Sequence, residues 1–218
     1  MTEIQQNILQ STAKFVQETL QGAEAGHDWW HIQRVWNNSK CLAQQENADS
    51  FVAELASLLH DIADSKFHNG DETIGPRNAR LWLEQQDLPL ETTNHVVAII
   101  ENISFKGGNA KRTHHSLELD VVQDADRLDA LGAIGIARAF HYGGFKNREL
   151  YNPGIPPNQG MDKETYKNSS APTINHFYEK LLLLKDLMNT TSGKMMAAER
   201  HAFLEQFLDR FYKEWEGA

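Results

Sequence analysis

Residues 55–64 read LASLLHDIAD. Leu55, Leu58, Leu59 and Ile62 recur at helical spacing, which predicts a helix running to about Ile62 with one face in a core. His60 and Asp61 interrupt that apolar pattern. A buried carboxylate needs a cation, a set of donors or a metal, because leaving it unpaired in an apolar interior is costly. The pair therefore raises two questions: what the helix packs against, and what answers the charge on Asp61.

Outward from this stretch, nearly every readable segment is helical. Residues 4–20 place Ile4, Ile8, Phe15 and Val16 on one stripe. Asp28 is a good N-cap for a helix carrying Ile32, Val35, Trp36 and Leu42. A shorter helix is expected over Pro76–Gln86, closed by Leu88-Pro89, and an apolar one over 91–104 with Val96, Val97, Ile99, Ile100 and Ile103. Residues 116–141 read as one long helix whose small residues, Ala130, Gly132, Ala133 and Gly135, suggest close packing. From Tyr142 to Ala171 no period is visible, and a loop of that length in a compact domain reads as a lid-like or disordered segment. Helices over about 173–188 and 194–215 end the chain. The expectation is a single all-α domain over 1–218, with a core of about 22–141 and C-terminal helices over about 172–216.

The 218 residues are 40% hydrophobic and 23% charged, ordinary values for a chain burying one core. No apolar run approaches a membrane span, so no membrane partner is expected. The N-terminus MTEIQQNILQ lacks the basic-then-apolar pattern of a secretory signal. The lone Cys41 allows no internal disulfide, and together these features point to the cytoplasm. A formal charge of −9 argues against non-specific binding of nucleic acid through a broad basic face. It leaves room for a small anion in a locally basic pocket. Trp-rich and Leu-rich surfaces could support a homodimer.

Three segments hold polar residues where a helix core does not want them. GHDWWHIQRV (26–35) has His27 and His31 four apart, on one helical face. LLHDIADSKF (58–67) has His60, Asp61, Asp64 and Lys66, and VVQDADRLDALGAIGIAR (121–138) has Asp124, Asp126 and Asp129. Alone, His31 would be a hydrogen-bonded structural histidine and Asp126 a surface acid beside Arg127. Together, two histidines and two carboxylates on separate helices converge only through the fold, and a divalent cation rewards that convergence. Mixed imidazole and carboxylate donors suit manganese, iron, cobalt, nickel or zinc better than magnesium or calcium.

The same segments, with ENISF (101–105) and HFYEKLLLLKDLMNT (176–190), resemble the HD superfamily of metal-dependent phosphohydrolases. Within it, the resemblance is to the bacterial subfamily that includes nucleoside-triphosphate pyrophosphohydrolases, and it spans nearly the whole chain. It implies an HD-domain helical bundle with a metal site in its core, the ligands falling on His31, His60, Asp61 and Asp126. Asp126 is taken over Asp124 and Asp129 because family members place that ligand directly before a basic and then a large apolar residue, here Arg127-Leu128. Two-metal members draw further histidines from the helix after the HD pair. This chain has only His95 near the start of its corresponding helix, so one divalent ion is expected. Manganese is the first choice, with iron, cobalt, nickel, zinc or magnesium as alternatives.

The resemblance also implies a general acid/base at Asp64. Lys66 would direct a cation at a phosphate, and Arg34 and Arg127 could grip phosphate oxygens as planar forks. Lys106 lies on the SFKGG loop, and His27 could contact substrate. His114 and His115 read as a surface pair. The expected reaction is cleavage of a nucleoside triphosphate to monophosphate and pyrophosphate. The alternatives are a nucleoside monophosphate phosphatase and a non-catalytic nucleotide-binding sensor.

Overall fold

The computed structural model describes residues 1–22, 28–63, 71, 73–103, 113–161 and 169–218. Among these residues all regular structure is helical. The chain divides into two compact units, residues 1–126 and 127–218.

The first unit is built around one short helix. In it, α1 spans Glu3–Thr19, α2 Trp29–Glu46, α3 Ser50–Leu59, α4 Ile74–Leu83 and α5 Leu90–Ile103. Side chains cap three of the starts: Thr2 in a capping box, Asp28 accepting from His31 N–H, and Asp49 accepting from Phe51 and Val52 N–H. Residues 51–59 of α3 are all buried, because α1, α2 and α5 pack around it. Its apolar residues pack with Ile32, Val35 and Leu42 of α2 among the buried core, along with Val96, Ile99 and Ile100 of α5. Even Glu54 lies in this interior, where it accepts from the Trp36 indole N–H at 2.7 Å. Its carboxyl is raised above the usual range by burial, against the lowering effect of that hydrogen bond and of Lys40.

The helix of the opening stretch stops at Leu59, short of the expected Ile62, with His60 as its C-cap. The ring of His60 explains part of the stop. Its Nδ1 lies 2.8 Å from the carbonyl of Ser57, the acceptor that Asp61 N–H would use in a continuing helix.

The expected long helix over 116–141 is two helices: α6, Leu117–Asp129, and α7, Gly132–Phe145. The break is local chemistry. Leu131 is extended at φ −115 and Gly132 sits at φ +66, a conformation that glycine adopts without steric cost. Arg138 reaches back from α7 to bond both the carbonyl and the carboxylate of Asp129 at the end of α6. A side chain at Gly135 would collide with the carbonyl of Ala130, so the small residues there make room for the bend.

In the second unit α7 packs on α8, Thr173–Glu179, and on α9, Thr191–Trp215, with a 3-10 helix at Leu181–Leu187 between the last two. The expected helix over 173–188 is thus split, and α9 begins earlier than expected because Thr190 caps it. Tyr142–Phe145 are helical. The described part of the aperiodic segment after them is tied down: Arg148 donates to the carbonyl of Ser169, Asn158 N–H to Glu179, and Asn175 to the carbonyl of Ile155.

Candidate metal centre

Three chain segments deliver one side chain each. Asp28 fixes the first turn of α2 by accepting His31 N–H at 2.9 Å, and the His31 side chain, 4% exposed, is thereby buried. His60 caps α3. A carbonyl can only accept, so His60 Nδ1 carries the proton toward Ser57 and leaves Nε2 with a free lone pair. Asp126 comes from the last turns of α6, where Asn38 of α2 donates to the neighbouring carbonyl of Ala125 at 3.1 Å.

These groups meet. Asp126 Oδ1 lies 3.5 Å from His31 Nε2 and 4.0 Å from His60 Nε2, and the two imidazoles cross at 67° with centroids 5.4 Å apart. One donor atom from each residue lies within 4.8 Å of the others. The separations exceed normal hydrogen-bond lengths. They are near the ~3–4 Å between two ligands of an ion that binds each at ~2.1 Å. One imidazole has its tautomer fixed by a backbone carbonyl, the usual support of a metal-binding histidine. The donor set therefore fits a divalent cation. The Asp126 side chain is 41% exposed while both rings are nearly covered, so the centre opens on its carboxylate side.

The other acids of α6 have different surroundings. Asp129 is buried and paired with Arg138 at 2.6 Å, and Asp124 is fully buried. Asp61 lies partly buried in the turn that follows His60. Arg34 is three residues beyond His31 on α2 and partly buried. Arg127 donates to the carbonyl of Leu187. His27, Asp64, Lys66 and Lys106 lie outside the described residues.

Sequence reasoning misread one pair and missed several supports. His115 is exposed, but His114 turns inward against His95 with ring centroids 5.3 Å apart. Asn38 and Arg138 act on groups brought close by the fold, and the Ser57 carbonyl acts on His60 within one helical turn; the apolar pattern marks none of the three. Among the described residues, no helix is long and apolar enough to cross a membrane.

The HD domain family matches residues 29–131, the stretch that contains all three donors. The chain is 36% identical over 211 residues to the uncharacterized protein YpgQ of Bacillus subtilis, covering 93% of this chain and 91% of that one. Among solved structures, an HD-superfamily hydrolase from Bacillus thuringiensis is 44% identical, with 98% and 100% coverage and a TM-score of 0.79. The structure of YpgQ in complex with ADP is 34% identical, with 97% and 96% coverage and a TM-score of 0.74. On this likeness in sequence, fold and donor set, the chain belongs to the HD superfamily of hydrolases.

Proposed function

We propose that this hydrolase is a divalent-metal-dependent nucleoside triphosphate pyrophosphohydrolase. The observation that carries the reading is the cluster of His31, His60 and Asp126, buried on its imidazole side and open on its carboxylate side. The ADP complex of YpgQ, a relative along nearly the whole chain, supports a nucleotide as the ligand class.

In this reading His31, His60, Asp61 and Asp126 hold one ion, with manganese the first choice and iron, cobalt, nickel, zinc or magnesium the alternatives. When bound, the ion supplies Lewis-acid polarisation of the phosphoryl group and of water. The protein residues do the rest. Asp64 takes a proton from the attacking water. The water oxygen bonds to the α-phosphorus, the bond from that phosphorus to the bridging oxygen breaks, and the electron pair leaves with pyrophosphate. The balance is one triphosphate and one water giving one monophosphate and one pyrophosphate. Lys66, Arg34 and Arg127 offset the charge of the triphosphate, each charge-assisted contact contributing roughly 1.5–3 kcal/mol. Lys106 and His27 are further substrate contacts.

A panel of nucleoside tri-, di- and monophosphates with several divalent metals, with products separated by ion exchange, tests the reading. The expected products from a triphosphate are monophosphate and pyrophosphate with little diphosphate. Stepwise release of single phosphates, or turnover of monophosphates alone, would replace it with a phosphomonoesterase.

A further inference from the structure

A second set of nitrogen and oxygen donors gathers at the other end of α3. Glu118, in the first turn of α6, accepts the N–H of Asp49, the N-cap of α3, on Oε1 at 2.9 Å. Its other oxygen, Oε2, stands 3.6 Å from Nε2 of His95 in α5. His114 crosses the His95 ring nearly edge-on. The chain there is held to α5 by Thr113, whose N–H and hydroxyl both donate to Asn102. The ten residues of α3 separate Asp49 from His60 by ~15 Å of helix, so this set is distinct from the His31 centre.

Nε2 of His95 and Nε2 of His114 are both shielded from solvent, and neither has a hydrogen-bond partner. Two such atoms on rings whose centroids lie 5.3 Å apart need an explanation, since buried polar atoms nearly always find a partner, an ordered water or an ion. The 3.6 Å from His95 to Glu118 is too long for a good hydrogen bond. It is close to the ~3–3.5 Å between two ligands of one tetrahedral ion. The His114 imidazole is held below its ordinary pKa, first by burial and then by His95 and His115, with Glu118 opposing.

We propose that His95 and Glu118, completed by a turn of the His114 ring, form a second divalent-metal site of the zinc class. Two imidazoles and a carboxylate suit Zn²⁺, Co²⁺ or Ni²⁺ rather than Mg²⁺ or Ca²⁺. The ion clips α5 to α6 and, through the Glu118–Asp49 bond, to the start of α3. Its role is structural.

The test uses the full chain and Zn²⁺ alone, counted by equilibrium dialysis. Wild type is expected to hold about one equivalent more than His95→Gln or Glu118→Gln, or to bind that equivalent at least about tenfold more tightly. Glu118→Gln still offers Asp49 an acceptor, which separates loss of the metal from loss of the cap. His31→Gln/His60→Gln should keep the extra equivalent and, loaded with Co²⁺, show visible absorption that further substitution of Glu118 removes. Equal zinc stoichiometry and affinity in wild type, His95→Gln and Glu118→Gln would overturn the site and leave an ordered water between the rings. A colourless cobalt-loaded His31→Gln/His60→Gln chain would overturn it as well, even if the single variants fail to fold.

Discussion

The histidines at the head of α2 and the end of α3 and the one in α8 are the same side chain in opposite electrostatic company. His31 and His60 face the carboxylate of Asp126, and His60 has its proton placed by a backbone carbonyl. His176 instead lies near Lys180 and Arg148. Burial first, and then those two cations, push its imidazole down to about 3. An imidazole beside a carboxylate is prepared to share a cation. One beside two cations must stay neutral and can only pack and hydrogen-bond. Burial alone therefore does not make a histidine a ligand; the sign of the nearest charge decides.

The largest effect that could break this contrast comes from removing donors. His31→Ala, His60→Ala, Asp61→Ala and Asp126→Ala should each lose metal and turnover while helical circular dichroism is retained, whereas His176→Gln should keep both. Metal analysis with a rate assay on each purified variant checks this. If Asp124→Ala, rather than Asp126→Ala, loses the metal, the fourth ligand is misassigned.

Next in size is Asp64→Asn, which should keep the metal and lose ~10²–10⁴-fold in rate. Near wild-type turnover would remove Asp64 from the proposed acid/base role. A smaller effect is expected where a carboxylate is paired with protein instead of metal. Arg138→Ala removes a partner of buried Asp129 and should lower stability by ~1–3 kcal/mol in urea denaturation, with metal content unchanged.

The smallest effect is in the pH dependence of stability. The folded pKa of His176 lies below its ordinary 6.5, so between that value and about 3 the unfolded chain binds the proton and the folded chain does not. Stability is complete above pH 6.5 and falls as the pH drops, by at most ~1.4 kcal/mol per unit for this one group. Urea midpoints measured from pH 7 to 5 should show that slope, and His176→Gln should flatten it. An unchanged slope would mean that His176 is not the group responsible.

Most helices could be read from periodicity and caps, because burying a stripe every 3.6 residues leaves a local record in the chain. The Asp28 cap placed α2, and the spacing of Leu55, Leu58 and Leu59 marked α3 as a helix with one buried face; its burial all round came only from the packing of α1, α2 and α5 about it. The break between α6 and α7 could not be read that way. A continuous helical pattern is equally consistent with one helix or two, and the choice depended on Gly132 at positive φ and on Arg138 reaching back to Asp129.

The same division holds at the candidate centre. The sequence by itself determined that His31, His60 and an aspartate of 121–138 were polar residues in apolar helices, because local pattern exposes what does not belong. The tertiary structure then brought Asp126, the aspartate that the family resemblance had singled out, to both imidazoles; Asp124, Asp126 and Asp129 sit within two turns of one helix and differ in what lies opposite. It alone turned His114 inward to His95 and set His176 near two cations. Distance and charge between segments far apart in sequence are properties of the packed chain, and no local spacing encodes them.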